Sequence, residues 1–371
     1  MADLFFYGTL CHVPLLERVL GRTDLDLAPA VMEGHSAYWA RDEAFPVIRA
    51  EAGGRAEGLL ARGLGDGDVE RLRFYEGAFD YGLRPVPVRA GAVEVEAQVF
   101  FPAENRWPVG APWSLADWAG RWADQQMRAA IEIMAWFGRM DAAKMEKRFV
   151  PIAIRAHSWI AAQGRPADEQ RDLAQDVVVH THRRPYVNFF SIEEVDLQYR
   201  RHDGQMSPVL NRGAFMVGEA AVVLPYDPVR DRVLLVEQFR APVYLAGDRA
   251  PWVWEPVAGL VDPGETAEEA AMREAEEEAG LTPHRLEKVG EAYSSTGASN
   301  EYLTLYVGIC DLPDLPEGGG GVAGEGEDLR SRLLSFDELM QGVDDCTWRD
   351  MPLVTTALWL ARHRDRLRNK G

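Results

Sequence analysis

The chain has 371 residues, of which 47% are hydrophobic and 27% are charged, an ordinary composition for a folded protein of two or three domains, so a disordered chain is excluded. Its 59 Asp and Glu residues outnumber its 40 Lys and Arg residues, which gives a formal net charge of −19. Because nucleic acids and anionic membrane surfaces are bound through cationic side chains, neither partner is expected. An anionic substrate would require local positive charge or metal ions.

The cysteines and the N-terminus indicate a protein of a reducing compartment. Cys11, Cys310 and Cys346 are odd in number and widely spaced, so we expect neither a disulfide framework nor a cysteine metal site. Asp3 stands where a signal peptide would carry positive charge. No uncharged apolar run approaches the roughly 20 residues that span a bilayer. We therefore expect a cytoplasmic protein.

Residues 1–112 are predicted to form the first domain. They contain short strand-like runs, such as LFFYG and VEVEAQVFF, that are interrupted by Gly and Pro. One short helix is expected near residues 68–75. The fold class predicted for this region is a small α+β domain.

Three short motifs in this domain resemble one known family. They are FFYGTL at residues 5–10, LRFYEG at residues 72–77 and YGLR at residues 81–84. Together they resemble the γ-glutamylcyclotransferase-like (AIG2-like) family over roughly residues 3–101. The resemblance implies a mixed fold built around a β-barrel-like sheet.

The resemblance also implies a candidate site. Its substrate-binding loop would hold a substrate carboxylate through backbone N–H groups, and the loop residues are Tyr7, Gly8, Thr9 and Leu10. Glu76 would be the catalytic general acid/base, which moves a proton from a substrate amine that attacks its own γ-carbonyl and releases 5-oxoproline. The alternative is a family-like fold that serves only for docking or dimerisation.

Residues 113–185 are predicted to form a helical connector. Ser114 precedes Asp117 by three residues, as at a capped helix start, and apolar residues recur at roughly helical spacing as far as Phe137. Pro151 is expected to end or kink this helix. Five tryptophans indicate that the connector packs on a domain or on a partner subunit, and they are Trp113, Trp118, Trp122, Trp136 and Trp159.

Residues 186–371 are predicted to form an α/β domain. Three strand-like runs, VNFFSIEEV, EAAVVLPYD and DRVLLVEQF, precede an acidic helical segment, further strands, a Gly-rich loop around residues 318–321 and a C-terminal helix. In the acidic segment Glu274, Glu277 and Glu278 share one helix face, where like charges repel. A hard divalent cation such as Mg²⁺ would compensate this repulsion.

The acidic segment carries a second resemblance. Residues 259–281, GLVDPGETAEEAAMREAEEEAGL, match the Nudix box G-x5-E-x7-R-E-U-x-E-E-x-G-U at every specified position, where U is apolar. RHDGQMSPVL, AAVVLPYDPVRDRVLLVEQFR, WEPVAGLVDPGE and GEGEDLR resemble the ADP-ribose pyrophosphatase branch of the Nudix hydrolases, over roughly residues 187–363. The resemblance implies an α/β/α sandwich with a mixed sheet, preceded by strands that in this branch often join a partner, and hence a homodimer.

The Nudix resemblance implies the metal ligands and the residues that shape the box. Glu274 and Glu278 would be the principal ligands of Mg²⁺, with Mn²⁺ as the alternative metal. Glu277, also counted as catalytic, and the Ala258 carbonyl would complete the metal site. The structural residues of the box would be Gly259, Glu265, Arg273 and Gly280, with a salt bridge between Arg273 and Glu265.

The resemblance also implies residues on the substrate side. Arg240 would face the diphosphate or neighbouring acids, and Ser299 and Glu301 match a substrate-side loop. Glu325 and Glu327 match the mobile acidic loop of the family, and Glu327 is the candidate to orient or deprotonate the attacking water.

The function implied is Mg²⁺-dependent hydrolysis of ADP-ribose to AMP and ribose 5-phosphate, or of a related nucleoside diphosphate sugar, with a second hypothesis of cyclotransferase activity at Glu76. One alternative is a regulatory protein that senses ADP-ribose without turnover, with the N-terminal domain as a docking module. Another is that the main activity belongs to the N-terminal domain.

Overall fold

A computed structural model describes residues 1–77, 81–103, 106–312, 314, 319–320 and 328–369. The chain separates into two compact units, residues 1–212 and 213–371. Both contain helices and sheets, so the predicted α/β fold class is confirmed. The domain boundaries at 112/113 and 185/186 stay predictions. Of the helices described, none has the length and apolar character needed to cross a membrane.

The first unit runs from a barrel through helices to a small sheet. Its elements are β1 (Ala2–Phe6), α1 (Val13–Leu20), β2 (Asp26–Ala40), β3 (Pro46–Leu64), α2 (Asp66–Gly77), β4 (Tyr81–Ala90), β5 (Val93–Pro102), β6 (Val109–Pro112), α3 (Leu115–Met134), α4 (Ala142–Glu146), α5 (Phe149–Gln163), α6 (Leu173–Asp176), β7 (Val177–Val187), β8 (Ser191–Tyr199) and β9 (Leu210–Met216), which crosses the unit boundary.

The first sheet closes on itself. Strand β1 pairs with β3 and β5, β4 pairs with β5 and β2, and β2 pairs with β3, while β6 extends β2. Alternation along β1 divides its side chains between two cores, because Phe5 packs inside with Met32 and Leu4 packs outside against the helices. The barrel-like sheet predicted from the sequence is present.

The first helix of the connector begins as predicted but ends elsewhere. Ser114 caps α3 by accepting a hydrogen bond from the Asp117 N–H, and Trp118 is fully buried. The prediction that Pro151 ends or kinks this helix is wrong. Helix α3 stops at Met134, and Gly138 at φ +73° reverses the chain. Pro151 lies in the first turn of α5, where a missing N–H costs no helical hydrogen bond.

Arginines of the connector attach it to the β7–β8 hairpin. Arg155 is buried, is paired with Glu132 at 2.7 Å, and donates to the Phe189 carbonyl. Arg148 donates to the Val187 carbonyl at 3.0 Å. The run VNFFSIEEV was expected to form one strand. This prediction is wrong, because residues 188–190 form the turn between β7 and β8.

The second unit is a sandwich of helices around a mixed sheet. Its elements are β10 (Glu219–Asp227), β11 (Arg232–Phe239), α7 (Ala241–Leu245), β12 (Trp252–Glu255), β13 (Val257–Leu260), α8 (Ala267–Ala279), β14 (Arg285–Tyr293), β15 (Tyr302–Ile309), β16 (Gly319–Gly320), β17 (Leu329–Ser335), α9 (Phe336–Asp344) and α10 (Met351–Arg368).

Both faces of this sheet are covered. The strand order is β14-β15-β10-β11-β17-β16, with β13 on β10 and β12 on β11. Strands β10 and β15 are parallel, whereas β10 and β11 are antiparallel. Helix α8 packs on one face with Val223 and Leu234, and α9 and α10 pack on the other with Val233 and Leu235.

Candidate functional site

Helix α8 presents the acidic side chains because its small residues face the sheet. Thr266 and Glu269 form a reciprocal capping box at its start, and Gly280 ends it at φ +63°. Ala270, Ala271 and Ala275 are fully buried. The short alanine side chains allow the helix to lie close to the sheet.

Two carboxylates of α8 converge on consecutive residues of β13. Glu278 is only 3% exposed and accepts a hydrogen bond from the Ala258 N–H at 3.2 Å. Glu274 lies against Gly259, where an added Cβ would be 1.8 Å from the Glu274 Oε1 atom. A glycine is therefore required at residue 259 for Glu274 to occupy this position.

Arg273 organises the carboxylates around it. Its guanidinium donates to both oxygens of Glu265, at 2.9 and 3.0 Å, and to the Leu260 carbonyl at 3.0 Å. It also donates to Glu274 at 2.6 Å and to Glu277 at 3.0 Å. The hydrogen bonds to Glu265 first, and then those to Glu274, raise the pKa of Arg273 despite partial burial.

The predicted metal ligands are not gathered around one point. In the part of the chain that the structure describes, no three His, Cys, Asp or Glu side chains form an arrangement ready to hold a metal ion. Arg273 contacts two of the predicted ligands, Glu274 and Glu277, and Glu278 contacts β13. The donor chemistry nevertheless fits a hard cation, since a nearly buried carboxylate and the backbone at Ala258 and Gly259 lie together.

Arg240 faces an acidic side chain, which is one of its two predicted surroundings, the other being the diphosphate of the substrate. Its Nε donates to both Glu255 oxygens at 3.0 Å, and Glu255 is 7% exposed. Burial lowers the pKa of Arg240, but Glu255 and the more distant charges of Glu278 and Asp350 outweigh it and raise the pKa overall.

Asp350 is a titratable residue near Arg240 that sequence reasoning missed. Burial raises the pKa of its carboxyl to about 7, although the Leu353 N–H donates to it. The charge of Glu301 contributes to the rise, so the predicted loop residue Glu301 lies near Asp350. The only sequence signal, Asp followed two residues later by Pro, indicates nothing beyond a helix N-cap, which Asp350 also is.

The remaining substrate-side residues are partly described. The Ser299 hydroxyl accepts a hydrogen bond from the Glu301 N–H at 3.0 Å, which shapes the loop before β15. The predicted acidic-loop residues Glu325 and Glu327 lie outside the described residues.

In the first unit, the predicted loop closes over the start of β3. The Tyr7 hydroxyl donates to the Phe100 carbonyl and the Tyr81 hydroxyl to the Pro46 carbonyl, both at 3.0 Å. A Cβ at Gly8 would be 2.7 Å from the Pro46 Cγ atom. Thr9 begins a 3-10 turn, in which Leu10 is buried.

Glu76 is the acidic group of this second site. Burial raises the pKa of its carboxyl to about 7. Its charge adds to the effect of burial in raising the pKa values of Tyr7 and Tyr81, and the charge of Tyr81 also raises the pKa of Tyr7, so the three groups lie near one another. Among the residues that are described, none donates a hydrogen bond to Glu76 or forms an ion pair with it.

Comparison with known families assigns each half of the chain. The family described as "NUDIX domain" matches residues 216–351. The family described as "Gamma-glutamyl cyclotransferase, AIG2-like" matches residues 4–120. Both resemblances seen in the sequence are confirmed.

Curated relatives match the C-terminal half. An ADP-ribose pyrophosphatase of Escherichia coli (strain K12) is 37% identical over 195 residues, which are 53% of this chain and 92% of the relative. An ADP-ribose pyrophosphatase of Haemophilus influenzae is 32% identical over 45% of this chain and 77% of the relative. A GDP-mannose pyrophosphatase of Cronobacter sakazakii is 30% identical over 45% of this chain and 85% of the relative.

Proposed function

We propose a function from the family to which the chain belongs, since it is a Nudix hydrolase with an AIG2-like γ-glutamyl cyclotransferase domain at its N-terminus. In this proposal the second unit hydrolyses ADP-ribose to AMP and ribose 5-phosphate. The observation that carries the proposal is the convergence of Glu274 and Glu278 on Ala258 and Gly259. ADP-ribose is favoured over GDP-mannose because the ADP-ribose pyrophosphatases are the more similar relatives.

The same carboxylates are proposed to hold a divalent cation, the usual cofactor of Nudix hydrolases. Glu274, Glu278 and the Ala258 carbonyl would hold Mg²⁺ or Mn²⁺, with Glu277 as the fourth group. When bound, the metal neutralises charge on the diphosphate and makes the attacking water more acidic. Arg273 keeps the helix and the preceding loop in register, and Glu327 remains the candidate to orient or deprotonate the water.

The experiment is a direct assay of the full chain. With Mg²⁺, we expect release of AMP and ribose 5-phosphate from ADP-ribose, and slower release of GMP from GDP-mannose. Tight binding of ADP-ribose in calorimetry, without product after long incubation, would instead support the sensor alternative. Absence of both product and binding would contradict the proposal.

A second function is favoured by the state of Glu76. An isolated carboxyl with a pKa of about 7 is suited to general acid/base catalysis near neutral pH. We propose that Glu76 accepts a proton from the α-amine of a γ-glutamyl compound as that amine attacks the γ-carbonyl carbon. The amide C–N bond then breaks, Glu76 returns the proton to the leaving nitrogen, and 5-oxoproline and a free amine are released. Loss of 5-oxoproline formation in E76Q would test this role.

A homodimer and a cytoplasmic location are proposed as well. The small sheet of β7, β8 and β9 and the turn between β7 and β8 expose apolar side chains, among them Val179, Tyr186 and Phe189. Exposed apolar groups of this kind favour association with another surface. Light scattering should give the mass of two chains. A mass of one chain at micromolar concentration would contradict the dimer.

A further inference from the structure

We infer that Arg49 binds a carboxylate of the substrate in the N-terminal site, which also contains Glu76. The inference rests on the cyclotransferase function proposed for the first unit, and it adds the group that recognises the anionic part of a γ-glutamyl compound.

The start of β3 brings Arg49 to the site. Residues 59–64 of β3 pair with β1, whereas residues 46–50 extend past the end of β1 and pair with residues 35–39 of β2. This extension carries Pro46, which contacts the loop at Gly8 and accepts the hydrogen bond from Tyr81. Arg49 follows three residues later, and its Nη2 donates to the Trp107 carbonyl at 2.7 Å.

The guanidinium acts on the same hydroxyls as Glu76 does, with opposite sign. Its charge opposes the rise in the pKa values of Tyr7 and Tyr81, to which Glu76 contributes. Arg49 and Glu76 therefore both lie within electrostatic range of Tyr7 and Tyr81, and their charges have opposite signs.

Within the described residues, no ion pair compensates either charge. Over the described ranges of the chain, the hydrogen bond to the Trp107 carbonyl is the interaction that Arg49 makes, and no carboxylate forms a salt bridge with it. Arg49 retains further N–H donors in the planar arrangement that matches a carboxylate. A guanidinium and a carboxyl that have no ion-pair partner among the described residues are suited to a ligand that carries both an amine and a carboxylate.

A γ-glutamyl compound has this chemistry. Its α-carbon bears an amine, which Glu76 would contact, and a carboxylate. When the leaving group is an amino acid, a second carboxylate is present. Either the α-carboxylate or the leaving-group carboxylate could therefore bind Arg49. Substrates that differ only in the leaving group distinguish these two cases.

The test compares γ-glutamylglycine with γ-glutamylmethylamine, which lacks the leaving-group carboxylate, in the full-length protein and its R49Q variant. If Arg49 binds the α-carboxylate, R49Q raises KM about 10- to 100-fold for both substrates, since a charged hydrogen-bond partner is lost. If it binds the leaving-group carboxylate, only γ-glutamylglycine is affected. Unchanged KM for both substrates overturns the inference.

Two further variants separate substrate binding from folding. R55Q changes an exposed arginine on the same strand and should leave both KM values unchanged. R49K keeps the charge and should recover part of the lost affinity, whereas a structural role confined to the Trp107 carbonyl would alter the unfolding temperature of R49Q and leave KM unaffected.

The outcome also distinguishes this inference from the cyclotransferase proposal. If the wild type forms no 5-oxoproline, that proposal fails, and γ-glutamylglycine becomes a stable ligand for calorimetry. Binding to the wild type that weakens at least tenfold in R49Q still supports the role of Arg49. Equal affinities, or no binding to the wild type, overturn it.

Discussion

The contact between Glu274 and residue 259 leaves no space for a side chain. In G259A the added methyl group would overlap the Glu274 carboxylate and displace it by about 1 Å or more. We expect hydrolysis of ADP-ribose to fall by about 100-fold, because a displacement of that size in a catalytic group is enough for such a loss. The matched control is G290A, since a Cβ at Gly290 meets no atom within 4 Å. Equal rates for both variants would show that the position of Glu274 is unimportant.

The Glu76 carboxyl makes stability and activity depend on pH. Its pKa in the folded protein is about 7, against an ordinary value of 4.5, so the folded state holds a proton that the unfolded state has released between these values. Stability should therefore fall as pH rises from about 4.5 to 7, by at most about 3 kcal/mol, and level off above. The rate of 5-oxoproline formation should rise over pH 6 to 8 as the base ionises.

Denaturant unfolding of the wild type and E76Q at pH 5 and pH 7.5 checks the stability part. The free energy of unfolding of E76Q should lack this component of the pH dependence. Identical pH dependence in the two proteins would show that Glu76 titrates normally.

At the scale of single elements, α8 depends on its N-terminal cap. Thr266 accepts a hydrogen bond from the Glu269 N–H, and the Glu269 carboxylate accepts one in return. T266A should lower the free energy of unfolding by about 1 kcal/mol. T355A, which removes an exposed hydroxyl within α10, should change it by less than about 0.5 kcal/mol. Urea unfolding compares the two variants.

Arg273 joins α8 to the loop before it. Arg273 makes five hydrogen bonds through its planar guanidinium, whereas a lysine has about three N–H donors on a single nitrogen and cannot replace them all. R273K should lose about 1 to 3 kcal/mol of stability and at least tenfold in the rate of ADP-ribose hydrolysis. R249K, at an exposed arginine of the same unit, is the control and should behave like the wild type. Wild-type stability in R273K would contradict this role.

Several elements could be predicted from local patterns. The box residues mark α8 because its cap, its alanine face and its terminal glycine are all local signals. The predicted end of α3 was wrong because a proline can also occupy the first turn of a helix, as Pro151 does in α5. The residues around Pro151 do not distinguish a helix end from a helix start. The turn at residues 188–190 was missed because VNFFSIEEV is rich in apolar and aromatic residues typical of a strand, and its turn is held by distant arginines such as Arg155.

The candidate sites divide in the same way. Glu274 and Glu278 were found from helix periodicity, and Glu76 from the motifs around it. Asp350 and Arg49 could not be found, because a cap residue and a strand arginine acquire their significance only when strands far apart in sequence bring them near Arg240 and Tyr7.

At the scale of the whole molecule, the two candidate sites belong to different compact units. Glu76 lies in residues 1–212 and Glu278 in residues 213–371. The net charge of −19 is compatible with two anionic substrates only if each site supplies its own positive groups. We propose Arg49 for one site and a metal ion for the other. E278Q should therefore abolish AMP release and leave 5-oxoproline formation intact, and E76Q should have the reverse effect.

The measurement that tests the central claim most directly is Mg²⁺-dependent AMP release from ADP-ribose by the wild type, E278Q and E276Q. Glu276 is an exposed residue of the same helix, so E276Q makes the same chemical change away from β13. We predict that E278Q loses at least about 100-fold in rate, while E276Q keeps the wild-type rate. Equal rates in E278Q and the wild type would contradict the assignment of this helix face as the catalytic site.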